Sequence, residues 1–98
     1  MRRADVIDGL TRNKDAIKSY GVDALYLFGS HVRDEGRPDS DIDVFIDRQP
    51  GKPFGFLELT NLEFYLSDLF RTRVDVMTRT ALHPDLKNEI EASALKVF

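Results

Sequence analysis

Cysteine is absent from the 98 residues of this chain, which excludes a disulfide framework, a thiolate zinc site and redox chemistry at sulfur. Long apolar runs are missing too. The N-terminal stretch MRRADVIDGLTRNK carries two arginines with no hydrophobic segment behind them, so it reads as neither a signal peptide nor a membrane span, and the cytoplasm is the expected compartment. An excess of positive charge is also lacking: 14 Lys+Arg stand against 17 Asp+Glu, a formal charge of −3. That is the wrong sign for a protein held to nucleic acid by phosphate neutralisation. No internal repeat, low-complexity stretch, collagen-like or coiled-coil composition is present. What remains is a chain of one-domain length, 1–98, whose 42% hydrophobic content suffices for one modest core.

The apolar pattern predicts alternating elements. Val6, Leu10, Ile17 and Tyr20 recur at helical spacing over 5–20, with Gly21 placed to stop the helix. The run 24–28, partly aromatic and ending at Gly29, reads as a buried strand. Ser30 suits a helix N-cap, with a very short helix over 33–35 and the turn formers Gly36, Pro38, Asp39 and Ser40 after it. Residues 41–47 alternate, with Ile42, Val44 and Ile46 on one face and Asp41, Asp43 and Phe45 on the other. A loop over 48–55 leads to a helix over 56–70, striped by Leu59, Leu62, Leu66 and Leu69. Phe70 and Phe64 are expected in the core, while Phe56, Phe54 and Tyr65 are further candidates for a contact patch. A third strand over 73–77, a helix from His83-Pro84-Asp85 to about Ala92, and a short edge strand over 95–98 complete the chain. Such alternation implies an α/β or α+β layer structure, order α-β-α-β-α-β-α, with helices packed on a small sheet. Strand order stays open.

Asp41 and Asp43, two apart on one strand, leave the same face, opposite the apolar stripe. If the third strand pairs with this one, Asp75 joins them. Two unit charges about 4 Å apart repel by about 4 kcal/mol at an effective dielectric of 20, so such a cluster calls for a proton or a cation. Magnesium fits, because it takes carboxylate oxygens while leaving positions for water and phosphate, and a pair of ions clamps the attacking and leaving oxygens of phosphoryl or nucleotidyl transfer. Taken alone, Asp41 and Asp43 read more simply as solvated surface acids. A calcium loop beginning at Asp39 fails, since its glycine would fall on Val44 and its bidentate glutamate on Pro50.

The segment in front changes the weighting. Gly29 ends an apolar strand and Ser30 opens a turn, so backbone N–H groups there can face a triphosphate. The Ser30 hydroxyl adds a donor, and Arg33 can direct a cation at the same phosphates. The plainer alternatives are a capping serine and a surface arginine. His31 reads as a surface histidine without a role. Arg33, Arg37, Arg48, Lys52 and Arg79 are expected around the mouth of the site, solvated loops being the alternative.

Together, GSHVRDEGRPDSDIDV resembles the Gly-Ser, ten-residue gap, Asp-x-Asp signature of the polymerase-beta-like nucleotidyltransferases, and Asp75 within RVDVMT looks like the third acid of that superfamily. The resemblance covers about 25–78 and implies its fold, a small mixed sheet flanked by helices. A chain this short is similar to the minimal nucleotidyltransferase class, the antitoxin of pairs whose toxin is a HEPN-domain ribonuclease. The resemblance implies transfer of AMP from ATP to a tyrosine of the toxin. Asp41, Asp43 and Asp75 would be catalytic and hold two Mg2+ ions, with Asp75 helping to activate the incoming hydroxyl. Gly29 and Ser30 would bind the triphosphate, and Arg33 matches an arginine common in the class. Metal is expected to gate nucleotide binding, because it turns an anionic pocket cationic. With little chain outside the signature, the acceptor-holding wall is expected from a separate HEPN-type protein or from homo-oligomerisation. A catalytically idle antitoxin that neutralises by binding alone, and transfer to a small-molecule hydroxyl, are the competing readings.

Overall fold

The computed structural model describes residues 2–32 and 41–98. The short helix expected over 33–35, and the side chains of Arg33 and Arg37, lie outside the described residues.

Helix α1 (Arg3–Arg12) and helix α2 (Lys14–Ser19) occupy the segment read as one helix. Asn13 separates them. Its Nδ2 donates to the Gly9 carbonyl at 2.8 Å while its Oδ1 accepts from the Tyr65 hydroxyl at 2.7 Å. A short amide side chain that bonds the backbone and a distant tyrosine competes with helix continuation, so the periodicity persists across a break. Gly21 ends α2 as expected, in a left-handed conformation.

Strand β1 (Val22–Phe28) starts earlier than the apolar run, because a register shift between Val22 and Ala24 makes Asp23 an extra residue. The bulge returns Val22 to the core side beside Leu25 and Leu27. Strand β2 (Ile42–Arg48) pairs antiparallel with β1, helix α3 (Phe56–Phe70) follows, and strand β3 (Val74–Thr78) lies parallel to β2. A 3-10 turn (Arg79–Ala81), which the sequence pattern did not reveal, leads to helix α4 (Pro84–Ser93) and the edge strand β4 (Leu95–Lys96). The sheet order is β3-β2-β1-β4, a mixed sheet within an α/β chain. Proline at the first turn and His83 Nδ1, which accepts from the Asp85 N–H at 3.2 Å, begin α4.

One core joins Val6, Leu10 and Ile17 of the N-terminal helices to Leu62, Leu66 and Phe70 of α3 across Leu25, Leu27, Ile42, Val44, Ile46, Val74 and Val76 of the sheet. Two expectations for α3 fail. Phe64 is 71% exposed and Leu69 is 40% exposed, because the helix rests on the sheet through the narrower Leu62–Leu66–Phe70 seam.

The opposite sheet face is not simply polar. Phe45, placed on it by alternation, is fully buried. It stacks on Tyr26, its cross-strand partner, with centroids 4.7 Å apart, and Arg79 lies over both rings at 4.7 and 5.0 Å. The guanidinium is held by Asp47 through two bonds of 2.8 and 3.0 Å and by Glu91 at 2.6 Å. The Asp47 bonds, working against desolvation, raise its pKa above the usual arginine value. Arg79 is therefore a clasp between β2 and α4 rather than part of a cationic mouth. Arg79→Ala is expected to cost about 1–2 kcal/mol through lost stacking and two orphaned carboxylates, read as a lower urea midpoint with unchanged slope.

Candidate active site

Three neighbouring strands bring the site together. Phe28, the last residue of β1, pairs with Asp43 of β2, and Asp43 stands in register with Asp75 of β3. Parallel pairing with equal side-chain parity sends both carboxylates to the same face, the one opposite the helix-packed core. Asp41 precedes β2 and is exposed, yet its charge still acts on Asp43. Among the described residues no group of three or more His, Cys, Asp or Glu side chains is gathered closely enough to hold a metal ion. The structure thus unites Asp43 and Asp75 and leaves Asp41 at the rim.

The electrostatics are those of an unbalanced anionic site. Burial first, then the charges of Asp75 and Asp41, push the Asp43 carboxyl above its ordinary value, while His31 and Arg73 act in the opposite direction. Arg73 Nε lies 3.0 Å from Asp75 Oδ1. A hard divalent cation fits this donor set, since magnesium is commonly held by one or two carboxylates together with substrate phosphates.

Gly29 makes the approach possible. Its φ is +83°, and a Cβ there would lie 2.7 Å from Asp43 Oδ2. The turn continues with the Val32 N–H donating to the Gly29 carbonyl at 3.2 Å, so Ser30 lies within the turn that Gly29 brings against Asp43.

Two contributors escaped the sequence reading. His31 is 1% exposed with no hydrogen-bond partner for Nδ1 among the described residues, which corrects its reading as a surface histidine: the turn after Gly29 folds it inward. Arg73 carried a recognisable signal, since it shares strand parity with Asp75. The cationic ring is also corrected. Arg48 pairs with Val22, at the far end of β1 from Phe28 and Asp43, and Arg79 is committed to Asp47 and Glu91.

A fold that closes a Gly-Ser turn against paired acids on adjacent strands is that of a nucleotidyl-transferring enzyme. The family model of the nucleotidyltransferase domain matches residues 10–97, and the chain belongs to that family. A full-length relative of Methanocaldococcus jannaschii, the candidate protein adenylyltransferase MJ1217, is 35% identical over 96 residues, 96% of each chain. A solved structure described as a candidate minimal nucleotidyltransferase is 27% identical with a TM-score of 0.72, covering 97% of this chain and 95% of that one. A chain from the complex of Shewanella oneidensis MNT antitoxin with tri-AMPylated HEPN toxin shares the fold at a TM-score of 0.64, with 17% identity over 91% of this chain and 70% of that one. No helix among the described residues is long and apolar enough to cross a membrane.

Proposed function

We propose that this nucleotidyltransferase is a cytoplasmic, Mg2+-dependent protein adenylyltransferase, acting as one domain over 1–98, that silences a HEPN-type toxin by moving AMP from ATP to one of its tyrosines. The observation that carries the reading is the register of Asp43 with Asp75 beside Gly29, an arrangement with no use in the core. The names of the similar proteins support the acceptor class, and the resemblance at the Gly-Ser and Asp-x-Asp positions supports ATP.

In this reading Gly29 and Ser30 receive the triphosphate, assisted by Arg33, and the paired Asp43 and Asp75 would hold the magnesium together with the substrate phosphates, with Asp41 turning in from the rim to complete the set. Bound there, the metal supplies neutralisation of phosphate charge. The acceptor hydroxyl oxygen attacks the α-phosphorus, the bond to the β-phosphate bridge breaks, and pyrophosphate leaves with the electron pair. In the same reading the Asp75 carboxylate, oriented by Arg73 at 3.0 Å, receives the hydroxyl proton. Orientation of the two reactants accounts for most of the acceleration.

The test incubates ATP labelled at the α-phosphate with Mg2+, the HEPN protein and either wild type or Asp75→Asn. Label on the HEPN protein with wild type alone is the expected result. Toxin neutralised equally by both proteins would instead establish inhibition by binding alone. A non-hydrolysable ATP analogue should bind at least about tenfold more weakly when metal is chelated, a measurement that needs no turnover.

A further inference from the structure

Beside Asp75 lies a pocket of about 170 Å³ lined by Glu63, Phe64, Ser67, Arg73, Val74 and Asp75. We propose that this pocket, with the exposed apolar face of α3 at its edge, is where the acceptor protein docks and inserts an aromatic hydroxyl side chain. The inference rests on the function proposed above and adds the surface that the acceptor uses.

Sheet order carries the first step. Across the strands the sequence runs Asp75 on β3, Asp43 on β2, then Phe28 on β1, with Gly29 and Ser30 next along the chain. Nucleophile and leaving group lie on opposite sides of the phosphorus in an in-line displacement. With the leaving pyrophosphate at Gly29 and Ser30, the acceptor oxygen approaches from the β3 side, where the pocket opens. Its O–P bond forms as the P–O bond to pyrophosphate breaks, and the proton passes to Asp75.

Size and lining select the occupant. Small-molecule sites are usually about 300–1,000 Å³, so a pocket of about 170 Å³ suits one inserted side chain better than a free ligand. Phe64 offers a ring for edge or stacked contact, Arg73 a cation for an aromatic face, and Asp75 a carboxylate for a phenolic hydrogen.

The surrounding surface fits a protein that brings this side chain. Phe56, Leu57 and Phe64 are 83%, 68% and 71% exposed, and at helical spacing they fall within about 100° of one another. Three large apolar side chains on one helix face, joined through Phe64 to a pocket that Asp75 lines, mark a contact surface. Strand addition at the β3 edge is unavailable, because Ser67 Oγ accepts the Val74 N–H at 2.9 Å and Glu63 Oε2 accepts the Val76 N–H at 3.0 Å. Recognition there proceeds through side chains.

The experiment measures HEPN-protein affinity in the presence of a non-hydrolysable ATP analogue, and the acceptor KM with labelled ATP, for wild type, Phe64→Ser, Phe64→Leu and a control, Leu86→Ser on α4. Phe64→Ser is expected to weaken the complex and raise the acceptor KM by about tenfold, as for an aromatic interface anchor. Its kcat and its affinity for the analogue should stay within about twofold of wild type, Phe64→Leu should recover part of the loss, and Leu86→Ser should resemble wild type. An acceptor affinity and KM untouched by Phe64→Ser overturn the inference. So does a loss of analogue affinity, which would give the pocket to the nucleotide, or a homodimer that Phe64→Ser splits while acceptor KM holds. A HEPN complex that wild type forms without labelling defeats the transferase reading, yet its weakening by Phe64→Ser still supports the docking face.

Discussion

Asp43→Asn is expected to lose transfer by at least about 10²–10³-fold, the scale for removing one charge-stabilising group from a reaction centre, while making the protein more stable. Both effects have one origin. Burial, Asp75 and Asp41 together hold the Asp43 carboxyl above its ordinary value of 3.8, so the folded chain keeps this proton to higher pH than the unfolded chain. Under linkage, stability present at low pH is then lost as pH rises through the folded value. Asparagine has the carboxylate's shape without its charge and escapes that loss. Solvent screening limits the gain for a half-buried group, so the variant is expected to melt modestly higher than wild type at pH 8 and by a smaller margin at pH 5. Mg2+ should raise the wild-type melting temperature more than the variant's, since a ligand stabilises only the fold that binds it. Melting curves of both proteins at pH 5 and pH 8, with and without Mg2+, check the set. A variant less stable than wild type at pH 8 without metal would show that Asp43 is structural rather than held against repulsion.

The same features explain how far the sequence reached. Strict alternation over 41–47 and the Leu stripe of α3 depend on local periodicity, and both elements appear within a residue of the expected limits. The acid pair was legible because parity on two strands, once they are paired, forces the side chains together. Buried polar interactions left no such trace. Asn13 breaks a helix through bonds to Gly9 and Tyr65, a residue 52 positions away along the chain. Arg79 looked like a loop cation, and only the folding of α4 over the sheet supplies Glu91 as its partner. Exposure of Phe64 was hidden for a related reason: helical spacing identifies an apolar stripe but not how much of its width the sheet covers. That uncovered width is where the proposed acceptor surface lies.

Gly29→Ala should be the most damaging change to a residue with no chemistry of its own. Two penalties coincide. At φ +83° an L side chain is strained, which costs about 1–2 kcal/mol. Its Cβ would also stand 2.7 Å from Asp43 Oδ2, so the carboxylate must rotate away or β1 must part from β2. A displacement of about 1 Å at a reacting centre commonly costs about 10²-fold in rate, and that loss is expected here even where the protein remains folded. Gly51 separates the two causes. Its φ is +79°, similar to that of Gly29, but a Cβ there meets nothing within 4 Å. Gly51→Ala should therefore lower the melting temperature by an amount comparable to backbone strain alone while keeping transferase activity near wild type. If the two variants lose activity equally, the contact with Asp43 is irrelevant to function and only backbone strain matters. If Gly29→Ala alone fails, and Asp43→Ala in the same chain, which removes the clashing oxygen, restores part of its lost stability, then the space left by the missing side chain is what lets an acid stand against the triphosphate turn.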